Sequence, residues 1–318
     1  MNSADTIRAV CIMGPTAAGK TEIALDLYKT GKFELISVDS AQVYREMDIG
    51  TAKPSPEILD AVPHRLISIR EPWEHYSAGL FCRDAIEAIG EIVANGKLPL
   101  LVGGTMLYFQ ALQNGLADLP EADPELRAQL DEQAGREGWS AMHKQLEKLD
   151  PATAARLRPT DAQRIQRALE VSLITGEPMS DLRRNTAPSL EASYLNIALL
   201  PSDRRELHAR IEKRLQAMLD DGFINELRAL SELPGISADT PSLRAVGYRQ
   251  FWPYIVGETS LPDATEKAVV ATRRLAKRQL TWLRSWPDLH VVDCLSDNAS
   301  QDVRQIVDSW LGLVQLPE

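Results

Sequence analysis

The chain is short of several things, and each shortage excludes something. It has three cysteines, Cys11, Cys82 and Cys294, odd in number and far apart. That fits neither a disulfide framework nor a zinc site, and it points to a reducing, cytoplasmic setting. Its five histidines are scattered at no ligand spacing, so zinc and haem are not indicated. No apolar run reaches the length of a membrane helix; the longest, residues 98–109, is interrupted by Gly103-Gly104. The first residues carry Asp5 and Arg8 ahead of a short apolar run, a pattern unlike a signal peptide. Cations are outnumbered, 35 Lys and Arg against 45 Asp and Glu, for a net charge of −10. Bulk charge therefore gives no attraction to nucleic acid, and any such contact has to come from a local basic stripe. What remains is a chain of 318 residues, 44% hydrophobic and 25% charged. That is the make-up of a globular protein with room for about two domains.

The strongest pattern is Gly14-Pro15-Thr16-Ala17-Ala18-Gly19-Lys20-Thr21, which fits G-x-x-x-x-G-K-[ST] at every fixed position. The apolar run 9–13 reads as a buried strand entering it. Residues 22–28 read as a helix leaving it, with Ile23, Ala24 and Leu27 on one face. Strand, glycine loop and helix together turn backbone N–H groups and a helix N-terminus toward one anion. Lys20 adds a charge for a terminal phosphate, and the Thr21 hydroxyl is a ligand for Mg²⁺. Residues 34–40 then form a short strand ending at Asp39, which a parallel sheet would bring to the carboxyl edge where ligands bind. Asp39 is either a turn-forming cap with Ser40 or a general base or metal-side group in the phosphate crevice. A further short strand is expected over 63–67, a helix over 77–94 and a buried strand over 98–102. A nucleotide hydrolase would end that last strand in an aspartate; here it ends in Gly103-Gly104-Thr105. This is either a tight turn or a place for close backbone approach, with a hydroxyl aimed at a reacting oxygen.

From residue 121 the strands cease, and helices are expected over 125–147 and 161–175, separated by Pro151 and Pro159. Residues 121–150 carry eight acidic and four basic side chains, and 151–187 carry four and six. A break at 185–189 precedes renewed strand character at 195–200. The expected organisation is an α/β core, residues 1–120 and 190–318, with a P-loop NTPase-like parallel sheet flanked by helices. An all-helical insertion occupies 121–189. In the returning core, residues 204–219 form a cationic helix with Arg210 and Arg214 one turn apart. Residues 267–287 hold six basic side chains and no acidic one. On a helical wheel Arg273, Arg274, Lys277, Arg278 and Arg284 share one half. Val269, Leu275, Ala276, Leu280, Trp282, Leu283 and Trp286 share the other, which places both tryptophans in the core.

These features by themselves leave open a small-molecule phosphotransferase and an RNA-binding nucleotide-dependent switch. The phosphate loop, residues 36–42, 47–54 and 101–108, Asp161 to Glu170, residues 246–250 and 277–284 occur in that order. Together they resemble the bacterial tRNA dimethylallyltransferases, also called tRNA isopentenyltransferases, of the IPP transferase family. The resemblance runs to about residue 286 and implies transfer of a dimethylallyl group from dimethylallyl diphosphate to N6 of the adenosine 3′ of the anticodon. It implies Asp39 as general base, Thr105 beside the diphosphate ester oxygen, and Gly14 to Thr21 as the diphosphate cradle with Lys20. Thr21 would hold Mg²⁺, and Arg214 or Arg210 would stabilise the leaving group. It implies tRNA contacts from Asp39, Ser40, Ala41 and Gln42, and from Gln163, Arg164, Ile165, Gln166 and Arg167. Further contacts would come from Arg244, Ala245, Val246, Gly247, Tyr248 and Arg249. The last set is Lys277, Arg278, Gln279, Leu280, Thr281, Trp282, Leu283 and Arg284. The expected partner is the anticodon stem-loop of tRNA, engaged by a monomer without a membrane.

Overall fold

A computed structural model describes residues 6–117, 119–183, 188 and 190–313. The expected break at 185–189 lies, apart from Pro188, outside the described residues. Two compact units emerge: residues 1–113 with 190–318, and residues 114–189.

The larger unit is built on one sheet of β1 (Ile7–Met13), β2 (Phe33–Val38), β3 (His64–Arg65), β4 (Leu98–Gly103), β5 (Ala192–Leu200) and β6 (Leu289–Asp293). Their order is β3-β2-β4-β1-β5-β6, with every pairing parallel. A parallel sheet needs helices on both faces, so its strands are apolar throughout. Alternate residues of β1 serve opposite layers. Ala9, Cys11 and Met13 pack with Phe81, Ile89 and Phe109. Val10 and Ile12 pack with Ile23, Leu27, Val303 and Val307. The strand expected over 63–67 shrinks to two residues at the sheet edge. The C-terminal segment completes the sheet with β6 and covers it with the helix Ala299–Trp310.

Register brings the future site to one level. Met13 pairs with Gly103 and Ala198, and Val38 pairs with Gly103. The residues that follow β1, β2 and β4 therefore leave the sheet side by side at its carboxyl edge. Gly103 makes this possible, because a Cβ there would be driven into the Val38 carbonyl.

A second core of this unit is aromatic. Phe223 stands edge-on to Tyr248 at 5.0 Å and to Phe251 at 5.4 Å, with Val43 and Met47 beneath. The Glu226 carboxylate accepts the backbone N–H groups of Asp48 (2.8 Å), Ile49 (2.6 Å) and Gly50 (3.1 Å), and also bonds the Tyr248 hydroxyl. Gly50 lies flat against Phe223 and Tyr248, where no side chain fits.

The smaller unit is helical among its described residues. The single helix expected over 125–147 is two, Pro124–Glu137 and Trp139–Leu149. Gly138, at φ 81° and ψ 153°, breaks them by adopting a conformation that L side chains avoid. The helix Ala162–Thr175 lays Ile165, Ala168 and Leu169 against Leu130, Met142 and Leu146. Inside sits Glu170, fully buried, bonded by Arg127 (2.8 and 3.0 Å), Arg167 (2.6 Å) and the Asp123 N–H (2.9 Å). Burial pushes its pKa up, but these donors outweigh it and hold the carboxyl below its ordinary range.

Candidate active site

β1 ends at Met13 and the chain turns through Gly14 to Gly19 before the helix Lys20–Tyr28. Ala17 (φ 64°) and Gly19 (φ 77°) adopt left-handed backbone, which curls successive N–H groups inward. Gly19 gives that helix no side-chain cap, so its first N–H groups are left for a partner from outside the helix, as an anion could be. Lys20 Nζ donates to the carbonyls of Gly14 (3.1 Å) and Pro15 (2.7 Å). Burial, then the neighbouring Arg214 guanidinium, push Lys20 down to about 8, while Asp39 and Cys294 pull the other way. Burial also lowers Arg214, again opposed by Asp39. Two crowded cations and one carboxylate make a place that a polyanion would relieve.

The helix Arg204–Asp220 sends its two candidate arginines to different partners. Arg214 Nη1 lies 3.4 Å from Thr16 Oγ1, whereas Arg210 reaches outward to the Cys294 carbonyl at 3.1 Å. Arg214 is the one at the loop. Thr21 is exposed in the first turn of the loop helix, and its hydroxyl makes no hydrogen bond among the described residues. No three His, Cys, Asp or Glu residues gather among the described residues as a metal cage.

Asp39 follows β2 directly. Its Oδ1 accepts the N–H groups of Ala41 (2.8 Å) and Gln42 (3.3 Å), while Oδ2 takes no hydrogen bond among the described residues. The turn-forming and chemical readings are therefore compatible: one oxygen fixes the turn and the other is available. Ser40 donates its N–H to Thr105 Oγ1 at 3.1 Å, and the Thr105 N–H donates to the Val38 carbonyl at 3.2 Å. Thr105 thus closes the gap between the turns after β2 and β4.

The surface residues expected to meet RNA divide. Ser40, Gln163, Arg164, Arg244, Arg249, Lys277, Arg278, Thr281, Trp282 and Arg284 are exposed. Trp282, expected in the core, is 38% exposed, whereas Trp286 packs against the sheet layer. Others are not exposed. Ile165, Gly247, Tyr248, Leu280 and Leu283 are buried in helix packing, and Ala41, Ala245 and Val246 are half-buried. Arg167 is committed to Glu170 and the Pro120 carbonyl, and Gln166 to Asp131 and the Arg127 carbonyl. Gln42 turns inward, accepting from Ser37 (3.1 Å) and donating to the carbonyls of Thr51 (3.3 Å) and Ala52 (3.2 Å). Gln279, 8% exposed, accepts the Thr16 N–H and donates to the Gly104 carbonyl, both at 2.9 Å.

Sequence reading missed this inward Gln279 and the Glu226 clamp. A signal existed for the first: Gln279 lies at helical spacing between Ala276 and Leu283, both buried. For Glu226 there was none, since the three backbone N–H groups it holds lie 176 to 178 residues away.

Residues 42–286 match the family described as IPP transferase. The chain belongs to the IPP transferase family. Residues 7–70 also match the description isopentenyl transferase. This IPP transferase is 53% identical over 303 residues to the tRNA dimethylallyltransferase of Bordetella petrii, covering 94% of this chain and 96% of that one. It is 52% identical over 317 residues to the enzyme of the same name from Ralstonia pickettii, covering 98% of each. Among solved structures, the tRNA isopentenylpyrophosphate transferase of Bacillus halodurans is similar at 38% identity and a TM-score of 0.69, covering 96% of both chains. A eukaryotic dimethylallyltransferase acting on tRNA gives 25% identity and a TM-score of 0.83, covering 98% of this chain and 81% of that one.

Proposed function

We propose that this IPP transferase moves a dimethylallyl group from dimethylallyl diphosphate to N6 of the adenosine 3′ of a tRNA anticodon. The observation that carries the reading is the company Asp39 keeps. A carboxylate with one open oxygen lies in the electrostatic field of Lys20 and Arg214 at a phosphate-type loop, and β4 ends in Gly103-Gly104-Thr105. Such a site can hold a diphosphate and accept a proton, and it has no aspartate at the end of β4 to position water for hydrolysis.

The adenine amine is a weak nucleophile because its lone pair is shared with the ring. As N6 attacks C1 of the allyl donor, the C1–O bond breaks and diphosphate leaves with the electron pair. Asp39 takes the N6 proton, and the carboxylic acid so formed is neutral beside the two cations. The loop N–H groups, Lys20 and Arg214 stabilise charge that grows on the leaving oxygens, and Thr105 offers its hydroxyl to the bridging oxygen. Thr21, with a free hydroxyl at the loop helix, fits Mg²⁺, an ion commonly held by a hydroxyl and substrate phosphates rather than by a protein cage. When bound, Mg²⁺ would neutralise diphosphate charge. The base must leave its stack to reach Asp39, so a flipped nucleotide is expected. Exposed Arg244, Arg249, Lys277, Arg278 and Arg284, with Gln163 and Arg164 of the helical unit, are the groups suited to the anticodon stem-loop. All the groups named belong to one chain, so a monomer is competent, and the cytoplasm is where it meets tRNA. No helix among the described residues is long and apolar enough to cross a membrane.

The deciding assay offers purified protein Mg²⁺, unmodified tRNA and either dimethylallyl diphosphate or ATP. A prenylated adenosine with release of diphosphate is expected. ATP consumption without a prenylated product would overturn the reading in favour of a phosphotransferase.

A pH dependence follows from Lys20. Only charged Lys20 attracts diphosphate, and its charge is lost above about 8. Affinity for dimethylallyl diphosphate should therefore fall as pH rises past that point, by up to about tenfold per unit for one proton. Titration calorimetry of wild type and Lys20→Arg checks this. The arginine variant should stay flat, and a flat wild type would contradict the assignment. The same depression means that burying the cation costs stability at neutral pH, a cost relieved between about 8 and the ordinary 10.5.

A further inference from the structure

Gln279 sits on the helix Leu261–Arg284 between exposed Lys277 and Arg278 and exposed Thr281, yet its own side chain points into the protein beside Ala276, Leu280 and Leu283. Its carboxamide is used at both ends. Oε1 accepts the N–H of Thr16 in the phosphate loop, and Nε2 donates to the carbonyl of Gly104, each at 2.9 Å. Only this orientation of the amide pairs an acceptor with the N–H and a donor with the carbonyl. Gly104 is adjacent to Thr105, which is tied to Ser40 and Val38 at the end of β2. One side chain therefore joins the turn after β1 to the turn after β4, and through it to the turn that carries Asp39. The fit is close on the glycine side, since a Cβ on Gly104 would be forced against Gln279 Nε2.

We propose that Gln279 is a positioning residue, which clamps the phosphate loop to the Gly104-Thr105 turn and so keeps the diphosphate cradle in register with Asp39. The proposal rests on the prenyl-transfer reading above. The loop needs such a tie. Ala17 holds a left-handed conformation that a side chain disfavours, and strain of this kind persists only where the surroundings over-determine it. A buried carboxamide with both ends satisfied supplies that constraint, and its loss leaves an N–H and a carbonyl unpaired.

The test compares Gln279→Met, which keeps the volume and removes both hydrogen bonds, with Gly104→Ala, which breaks the same clamp from its other end. Arg278→Gln serves as a contrast on the exposed face. For both clamp variants the KM for dimethylallyl diphosphate should rise about tenfold or more and kcat should fall. Their Kd for an anticodon stem-loop should stay within about twofold of wild type, which also reports that the fold is intact. Arg278→Gln should do the reverse, weakening the stem-loop and lowering its salt slope by about one unit with the KM for the allyl donor unchanged. Unchanged KM and kcat in Gln279→Met would overturn the clamp, and so would a loss of stem-loop affinity with normal KM, which would make Gln279 an RNA contact. Failure of the functional reading is distinguishable, because it is seen in wild type alone as no prenyl transfer. In that event inorganic diphosphate binding by wild type and Gln279→Met still decides the clamp.

Discussion

Replacing Asp39 by asparagine is expected to lower kcat about 10³-fold while leaving affinity for tRNA near that of wild type. The geometry makes asparagine the sharper choice than alanine. Asp39 Oδ1 accepts two backbone N–H groups, so alanine would remove the cap of the turn along with the base. An asparagine carbonyl can keep both hydrogen bonds but cannot take a proton from N6, and general-base losses of about 10²–10⁴ are usual. Asp39→Ala should then be at least as slow, and the difference between the two variants reports the cap. Single-turnover measurement at saturating allyl donor checks this. Normal turnover at saturation combined with a collapse of tRNA binding would show that Asp39 is an RNA contact and not the base.

The second large effect concerns the helical unit and needs no assumption about the reaction. Glu170→Ala should cost that unit about 3 kcal/mol, because it strands two arginines and the Asp123 N–H that converge on a fully buried carboxylate. Hydrogen exchange of the helix Ala162–Thr175 within the full chain is the measurement, since global melting would mix the two units. Faster exchange confined to residues 114–189 is expected. The pH dependence has a definite sign. Glu170 is held below its ordinary 4.5, so its contribution is present above that pH and fades as pH falls through the depressed value. Wild type should lose protection on acidification, and Glu170→Ala should lose less. Equal exchange in both proteins would mean that the ion pairs break even against their desolvation.

Some residues announced their roles in the sequence because the cause was local. Gly14 to Thr21 specify a loop and a helix start by spacing alone, and the apolar runs around them specify buried parallel strands. Asp39 and Gly103-Gly104-Thr105 could be placed at strand ends for the same reason. The single helix expected over 125–147 failed for a local reason too: Gly138, with its positive φ, ends one helix and begins the next. The cationic face of the last long helix was legible except at Arg273, which is half-buried and paired with Glu212, and the facing of Trp282 and Gln279 was not. A wheel ranks residues by polarity, whereas the packed helix turned a tryptophan outward and an amide inward.

What the sequence by itself determined is the family, the glycine-rich loop between the first strand and its helix, and most of the order of the elements, because each depends on neighbours in the chain. What only the tertiary structure decided is which distant groups meet. Strand register set Asp39 and Thr105 level with the loop. The packing of one cationic helix put Arg214, and not Arg210, against Thr16. The burial of another brought Gln279 across 263 residues to the same Thr16. These pairings come from the satisfaction of buried polar groups in three dimensions, a requirement that no spacing along the chain records.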